Sequence, residues 1–188
     1  MKKILIISFG EHTGLSIKAQ LKDILGNKFE IINLSVEDSF DYCLYTDLVI
    51  FSSEEVRDIC LLTVDKEFDF IVLKRVIRHE CIDEILKIRE NKDVLVVNDT
   101  EESCKEVINQ LKKQGIDHVK YYQYYPGISE YKETDVAITP GESHLVPNGI
   151  KRVIDISARR MDVTSLIEVL MKLNCIEEYG SLVSSYFY

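Results

Sequence analysis

Two pairs of adjacent cationic residues are the side chains in this sequence with the clearest chemical potential. Lys74 and Arg75 follow one short apolar run, and Arg159 and Arg160 follow another. Because a guanidinium pairs bidentately with a carboxylate or a phosphate, the two pairs are suited to holding a small anion. The alternative is that they neutralise acids of the chain itself, such as Asp155.

Small polar residues and glycines form a second group of candidates, because they follow apolar runs that predict strands. Those expected to hydrogen-bond a ligand are Ser8, Ser52, Ser53, Asn98, Thr100 and Thr139, with Gly10 and Gly141 in the same loops. Glu142 is expected to accept from a ligand amine. The alternative is that these residues cap helices and shape turns. The loop at 8–14 matches neither GxxxxGK[ST] nor GxGxxG, so nucleotide binding is not specifically indicated.

Strands and helices alternate along the chain, which predicts a parallel α/β architecture. The predicted strands are 4–7, 29–34, 48–51, 70–73, 94–97, 119–125, 135–138 and 153–156. The predicted helices are 15–25, 52–60, a short one near 82–86, one from Asp99 or Thr100 to Gly115, and one from Asp162 or Thr164 to Leu173.

Each half of the chain contains several predicted strands with helices between them. We therefore predict two small Rossmann-like lobes with parallel sheets, residues 1–97 and 98–188, with ligand bound in the cleft between them. A single doubly wound sheet is the alternative. Open α/β sheets bind ligands beyond the carboxyl ends of their strands, where the candidate residues lie.

Composition restricts the function further. The net charge of −9 argues against direct nucleic-acid binding, which depends on neutralising phosphates. The four histidines are far apart and the five cysteines are scattered without a CxxC pair, so we predict no metal, no cofactor and reduced cytoplasmic thiols. No apolar run is long enough to span a bilayer, and we expect no membrane partner.

Two other protein classes fit the residues poorly. A phosphoacceptor receiver domain needs an acidic pair after its first strand, and this chain has Ser8-Phe9-Gly10 there. A two-lobed racemase needs a cysteine at a strand end in each half. Cys104 lies within a predicted helix and Cys43 precedes a strand, so a racemase-like enzyme is the weakest alternative.

Two segments carry a resemblance to a known family: VVNDTEESCKEVINQLKKQGIDHVKYYQYYPG and DVAITPGESHLVPNGIKRVIDISARRMDVTSLIEVLMKL. Together they resemble the N-terminal regulatory domain of clostridial sigma-54-dependent transcriptional activators. In that family a YYPG-like turn, an ITPGE..LVP loop and a VIDIG-R--D-STLI segment occur in this order. The chain departs from the pattern at Ser157-Ala158, where the family usually has a glycine.

The resemblance implies a cytoplasmic sensor domain. Related domains, such as that of the propionate-catabolism activator, are two-lobed and similar to periplasmic binding proteins. Such a domain normally precedes a PAS domain, an AAA+ ATPase and a helix-turn-helix, which would be its partners in the full-length chain. The C-terminal YGSLVSSYFY lacks a polar end, so we expect an excised domain.

The sequence therefore predicts a non-enzymatic sensor that binds a small, anionic metabolite and forms a homodimer. The main alternative is a dimerisation or protein-interaction module without a ligand, held together by the aromatic tail that includes Tyr186 and Phe187.

Overall fold

The computed structural model describes residues 1–38, 45–63, 67–78 and 82–185, and it confirms the predicted α/β class. The strands are β1 Lys2–Ser8, β2 Phe29–Ser35, β3 Leu48–Phe51, β4 Phe70–Val72, β5 Arg75–Val76, β6 Asp93–Val97, β7 Lys120–Tyr124, β8 Val136–Thr139, β9 Arg152–Asp155 and β10 Arg160–Met161. The helices are α1 Glu11–Leu25, α2 Glu54–Leu61, α3 Asp83–Leu86, α4 Glu101–Lys113, α5 Val163–Lys172 and α6 Ile176–Ser185. None of the helices in these ranges has the length and apolar character needed to cross a membrane.

The chain divides into two compact units with bounds that differ from the predicted 1–97 and 98–188. The first unit contains Met1–Arg75 and Arg160–Tyr188, and the second contains Val76–Arg159. The predicted boundary is wrong because it would separate β6 from α4, which pack together in one core. It would also remove α5 from the first sheet, whose apolar face that helix buries.

The first unit contains a parallel sheet with strand order β2-β1-β3-β4. Ile4 pairs with both Ile31 and Leu48, and Ile50 pairs with Ile71. Continuous apolar runs form these strands because both faces of a parallel sheet are covered. Helices α1, α5 and α6 pack on one face, and α2 packs on the other.

The second unit contains a parallel sheet with strand order β7-β6-β8-β9. One face packs against α4 through Val107, Ile108 and Leu111. On the other face the side chains that pack on Leu95, Val97 and Ala137 come from β7 and from the loop between β8 and β9, namely Tyr122, Tyr124, Leu145, Val146 and Ile150.

Strands β5 and β10 pair separately as a two-stranded sheet.

The helix termini show which of the predicted caps are used. Ser53, rather than Ser52, accepts a hydrogen bond from the Val56 amide and begins α2. Thr100 caps α4 and Asp162 caps α5, which selects one residue from each predicted pair. Helix α1 starts at Glu11, four residues before the predicted start, and α6 was not predicted.

Candidate functional site

Four of the predicted site residues meet at the carboxyl edge of the sheet in the first unit. The Ser52 amide donates to the carbonyl of Ile7 at 3.0 Å, which places Ser52 beside Ser8 at the ends of neighbouring strands. The buried Ser8 hydroxyl donates to the Gly10 carbonyl at 2.9 Å. Because Ser8 closes a turn and Ser53 caps a helix, these two hydroxyls already have local structural roles.

A close approach between α1 and β2 lies beside this edge, and sequence reasoning missed it. A Cβ placed on Gly14 would lie 2.0 Å from the Asn33 Oδ1 atom, so any other residue there requires the Asn33 side chain to move. Asn33 Oδ1 is buried and has no hydrogen-bond partner. The signal in the sequence was a glycine on the buried stripe of an amphipathic helix.

The three predicted cationic residues of the first unit lie on or next to the short strands β5 and β10. The Lys74 amide donates to Ser165 Oγ at 2.9 Å, and the Lys74 carbonyl accepts from the Asp162 amide at 2.8 Å. Arg75 and Arg160 lie on β5 and β10, which pair with one another. The structure therefore brings these three residues together through their backbones.

In the second unit the carboxyl ends of the four strands align. Val97 pairs with Tyr124, and Thr139 pairs with Asp155. From β6 the chain continues to β7 on one side of the sheet, and from β8 it continues to β9 on the other side. The carboxyl ends of β6 and β8 therefore form the topological switch point of this sheet. Asn98 follows β6 directly and lies at this point.

Asn98 and Asp99 contain two buried polar atoms without hydrogen-bond partners. The Asp99 amide donates to Asn98 Oδ1 at 2.9 Å, which orients the side-chain amide and leaves Nδ2 as the unpartnered donor. The unpartnered acceptor is Asp99 Oδ1. Asn98 is 4% exposed. Because most buried polar groups in proteins are paired, the unpartnered donor of Asn98 and the unpartnered acceptor of Asp99 make this edge a candidate binding site.

The helix that follows these residues is fixed by a cap and a buried thiol. The Thr100 hydroxyl accepts from the Ser103 amide at 3.1 Å. The Cys104 thiol donates to the carbonyls of Tyr124 at 3.2 Å and Val96 at 3.4 Å. Burial raises the pKa of Cys104 to about 12, so the neutral thiol ties α4 to the sheet.

The loop after β8 is held by side chains of the same edge. Buried Thr139 accepts from the Glu142 amide at 3.0 Å, and Asp155 accepts from the Gly141 amide at 3.0 Å. Gly141 has φ +95°, and a Cβ there would lie 3.4 Å from the Ala158 amide nitrogen. The Glu142 side chain is 7% exposed and lies 3.6 Å from His144 Nδ1.

The segment after β9 positions Arg159 against α4. Ser157 has φ +59° and its amide donates to Asp155 at 2.8 Å. This left-handed conformation is one that glycine adopts more readily than serine. The Arg159 side chain is 2% exposed and donates to Glu106 at 2.7 Å. Its charge is therefore compensated within the second unit.

A cavity of about 640 Å³ lies at the opposite, amino edge of the sheet in the second unit. Its walls include Lys92, Asp93, Lys120 and Asp135, and it contains none of the predicted site residues. Lys92 and Lys151 both contact the Asp135 carboxylate, at 2.8 and 2.9 Å. The Asp135 carboxylate at this cavity is therefore paired with two lysines.

The predicted residues fall into three groups. Ser8, Gly10, Ser52 and Ser53 meet in the first unit, and Lys74, Arg75 and Arg160 lie near β5 and β10. The third group lies at the carboxyl edge of the second sheet: Asn98, Thr100, Thr139, Gly141, Glu142 and Arg159. Asp99 was among the sequence candidates for a helix cap or a ligand residue, together with Asn98 and Thr100, whereas Glu106 was not. In the part of the chain that the structure describes, no group of histidine, cysteine and carboxylate side chains is arranged to hold a metal ion. Cys43, Tyr186 and Phe187 lie outside that part.

Comparisons of the chain with protein-family models, with curated proteins and with solved structures give no match.

Proposed function

We propose that the chain is a sensor domain that binds a small polar metabolite at the carboxyl edge of the sheet in the second unit. One observation carries the proposal: Asn98 Nδ2 and Asp99 Oδ1, on consecutive residues, are both buried and without partners. Leaving a buried polar group unpaired costs about 1–3 kcal/mol for each group. A ligand that pairs with both atoms recovers this free energy, which makes the edge a favourable place to bind.

The position of these atoms supports the same proposal. They follow the central strand β6 at the switch point, where open α/β sheets bind small molecules. Thr139 and Glu142 end the neighbouring strand and begin its loop, so further polar groups lie beside them.

Burial of both atoms suggests how binding produces a signal. A ligand reaches Asn98 and Asp99 only from a conformation in which this edge is open. By its affinity for that conformation, the ligand shifts the equilibrium between closed and open forms. A domain that follows in the full-length protein then responds to the shifted population.

The regulatory part of the proposal rests on the resemblance to sigma-54-dependent activators. In this proposal the chain is the cytoplasmic sensor of such a regulator, acts as a dimer, and controls an AAA+ ATPase through a PAS domain. The similarity to periplasmic binding proteins belongs to the same proposal, and the return of the chain to the first unit after Arg159 is compatible with it. The clamp of an anion by the arginines stays a prediction.

The experiment that tests the proposal measures ligand-induced stabilisation. The purified chain is heated with organic acids, amino acids, sugar phosphates and nucleotides, and the melting temperature is recorded for each. Binding at a hundredfold excess over Kd adds about 2.7 kcal/mol to the free energy of unfolding, which raises the melting temperature visibly. The Asn98→Ala variant is expected to bind the same compound about tenfold more weakly, since it lacks the Nδ2 donor.

Asn148→Ala is the matched control, because Asn148 lines the cavity at the amino edge of the same unit. This variant is expected to retain the affinity of the unmodified chain. The proposal is wrong if no compound stabilises the chain. Its location of the site is wrong if Asn98→Ala and Asn148→Ala bind the compound equally well.

A further inference from the structure

The charges at the carboxyl edge of the second sheet restrict the chemistry of the ligand. Two carboxylates lie there, Asp99 with its unpartnered Oδ1 atom and Glu142 with a buried side chain beside His144. The buried cation of this edge, Arg159, already pairs with Glu106. The edge therefore carries an excess of negative charge next to a buried amide donor.

The cations on the nearby first turns of α4 do not change this balance. Lys105 contacts the carboxylates of Glu101 at 2.7 Å and Glu102 at 3.9 Å. Two acids thus surround one lysine. His144 lies beside Glu142 on the outside, with 58% of its side chain exposed. A purely anionic ligand placed against Asp99 would meet like charge at short range, which disfavours its binding.

We infer that the ligand carries a primary ammonium group beside a carboxylate or carbonyl oxygen, as an amino acid does. Its ammonium N–H donates to Asp99 Oδ1, and its oxygen accepts from Asn98 Nδ2. This arrangement pairs both buried atoms and places positive charge against the acidic residues of the edge. The inference rests on the proposed function and adds the chemical class of the ligand.

The opposite hydrogen-bonding characters of Asn98 Nδ2 and Asp99 Oδ1, on consecutive residues, are the reason for this choice. A ligand with acceptors alone would leave Asp99 Oδ1 unpaired, and an amine without an oxygen would leave Asn98 Nδ2 unpaired. A charged hydrogen bond to a carboxylate is also stronger than a neutral one, so an ammonium recovers more free energy than an amide N–H. Glu142 is a second carboxylate within the same loop region.

Matched trios of compounds test the inference directly. Each trio contains an amino acid, its N-acetyl derivative and the carboxylic acid that has hydrogen in place of the amine. The nineteen common amino acids that have a primary amine are compared with their two partners by melting temperature, and the best are measured by calorimetry. We expect at least one amino acid to bind, and its two partners to bind at least tenfold more weakly.

Two variants connect the amine to Asp99. In Asp99→Asn the carboxylate is replaced by a neutral group of the same shape, and we expect the preference for the free amine to fall at least tenfold. Glu102→Gln is the matched control, since it removes a charge from the first turn of α4, where the side chain is 60% exposed. This control is expected to keep the preference.

The possible outcomes separate this inference from the proposed function. If carboxylic acids without an amine bind and amino acids do not, the ligand class is wrong while the sensor proposal stands. If amino acids bind equally well to the Asp99→Asn variant, the amine is recognised elsewhere and the inference is overturned. If neither these trios nor the sugar phosphates and nucleotides bind, the proposed function itself fails.

Discussion

The Arg159 guanidinium donates to the Glu106 carboxylate at 2.7 Å, and only 2% of the Arg159 side chain is exposed, against 38% of Glu106. An arginine at this position was expected to hold a ligand. Its pairing with α4 gives it a structural role, because a buried charge without a partner is strongly unfavourable.

We predict that Glu106→Gln lowers the free energy of unfolding by about 2–4 kcal/mol, since it leaves the buried guanidinium without its carboxylate. Urea denaturation measures this change. Glu102→Gln on the same helix removes an exposed carboxylate and is expected to change stability by less than about 0.5 kcal/mol. Equal stabilities of the two variants would show that the ion pair does not support the fold.

Gly14 and Asn33 provide a prediction of opposite sign to the usual effect of a helical glycine. Gly14→Ala is expected to destabilise the chain by about 1–3 kcal/mol, because the new methyl group would overlap Asn33 Oδ1. In Gly14→Ala/Asn33→Ala the obstruction is removed, and stability should return towards that of Asn33→Ala alone. Thermal unfolding of the two single variants and the double variant measures the coupling.

A second helical glycine is the control for this experiment. A Cβ on Gly180, in α6, would have its nearest contact 3.9 Å away, at Ile176. Gly180→Ala is therefore expected to stabilise the chain by about 0.5–1 kcal/mol, as alanine normally does in a helix. If Gly14→Ala is stabilising as well, Gly14 and Asn33 do not lie close enough for a methyl group to overlap the Asn33 side chain.

The carboxylate of Asp135 gives a prediction for acidic pH. Hydrogen bonds and charge from Lys92 and Lys151 lower the pKa of Asp135 from 3.8 to about 2. A lowered pKa means that the contribution of Asp135 to stability is complete above pH 4 and is lost as the pH falls through about 2. The melting temperature of Asp135→Asn should lie below that of the unmodified chain at pH 5, and the difference should shrink towards pH 2.

Titration of the Asp135 carboxyl carbon by NMR measures the pKa itself. Lys92→Met is expected to raise the pKa of Asp135 towards its ordinary value, because the hydrogen bond from Lys92 to the carboxylate is lost. Lys120→Met is the control, since Lys120 lines the same cavity and, within the described residues, makes no ion pair with Asp135. An unchanged pKa in Lys92→Met would contradict the assignment.

The thiol of Cys104 gives a prediction about reactivity. Because burial raises its pKa to about 12, Cys104 carries almost no thiolate at pH 8. Iodoacetamide should therefore label Cys104 much more slowly in the folded chain than in 8 M urea, as measured by mass spectrometry of peptides. Fast labelling of the folded chain would instead favour the enzymatic alternative, which requires a reactive cysteine.

The raised pKa of Cys104 also sets the direction in which stability changes at alkaline pH. The contribution of the neutral Cys104 thiol to stability is complete below about pH 9 and is lost as the pH rises towards 12, because the unfolded thiol ionises first.

The order and type of most elements could be predicted from the sequence alone. Runs such as Ile4–Ile7 and Val94–Val97 are apolar at every position, and only strands with both faces covered bury such runs completely. Helix N-caps could also be predicted from the sequence, because Thr100 and Asp162 precede amphipathic helices and their side-chain oxygens accept from free backbone amides. These features depend on neighbours in the sequence, so local physical chemistry is sufficient to predict them.

The sequence could not predict which distant residues share a unit or which polar groups are already paired, and these features were seen only in the tertiary structure. Helix α5 returns to cover the sheet that begins at β1, and Glu106 reaches Arg159 from fifty-three residues away. The same packing buries Asn98 Nδ2 and Asp99 Oδ1 while leaving both atoms without a partner. Burial and pairing depend on contacts between segments that are far apart in the chain, and no local pattern of residues specifies them.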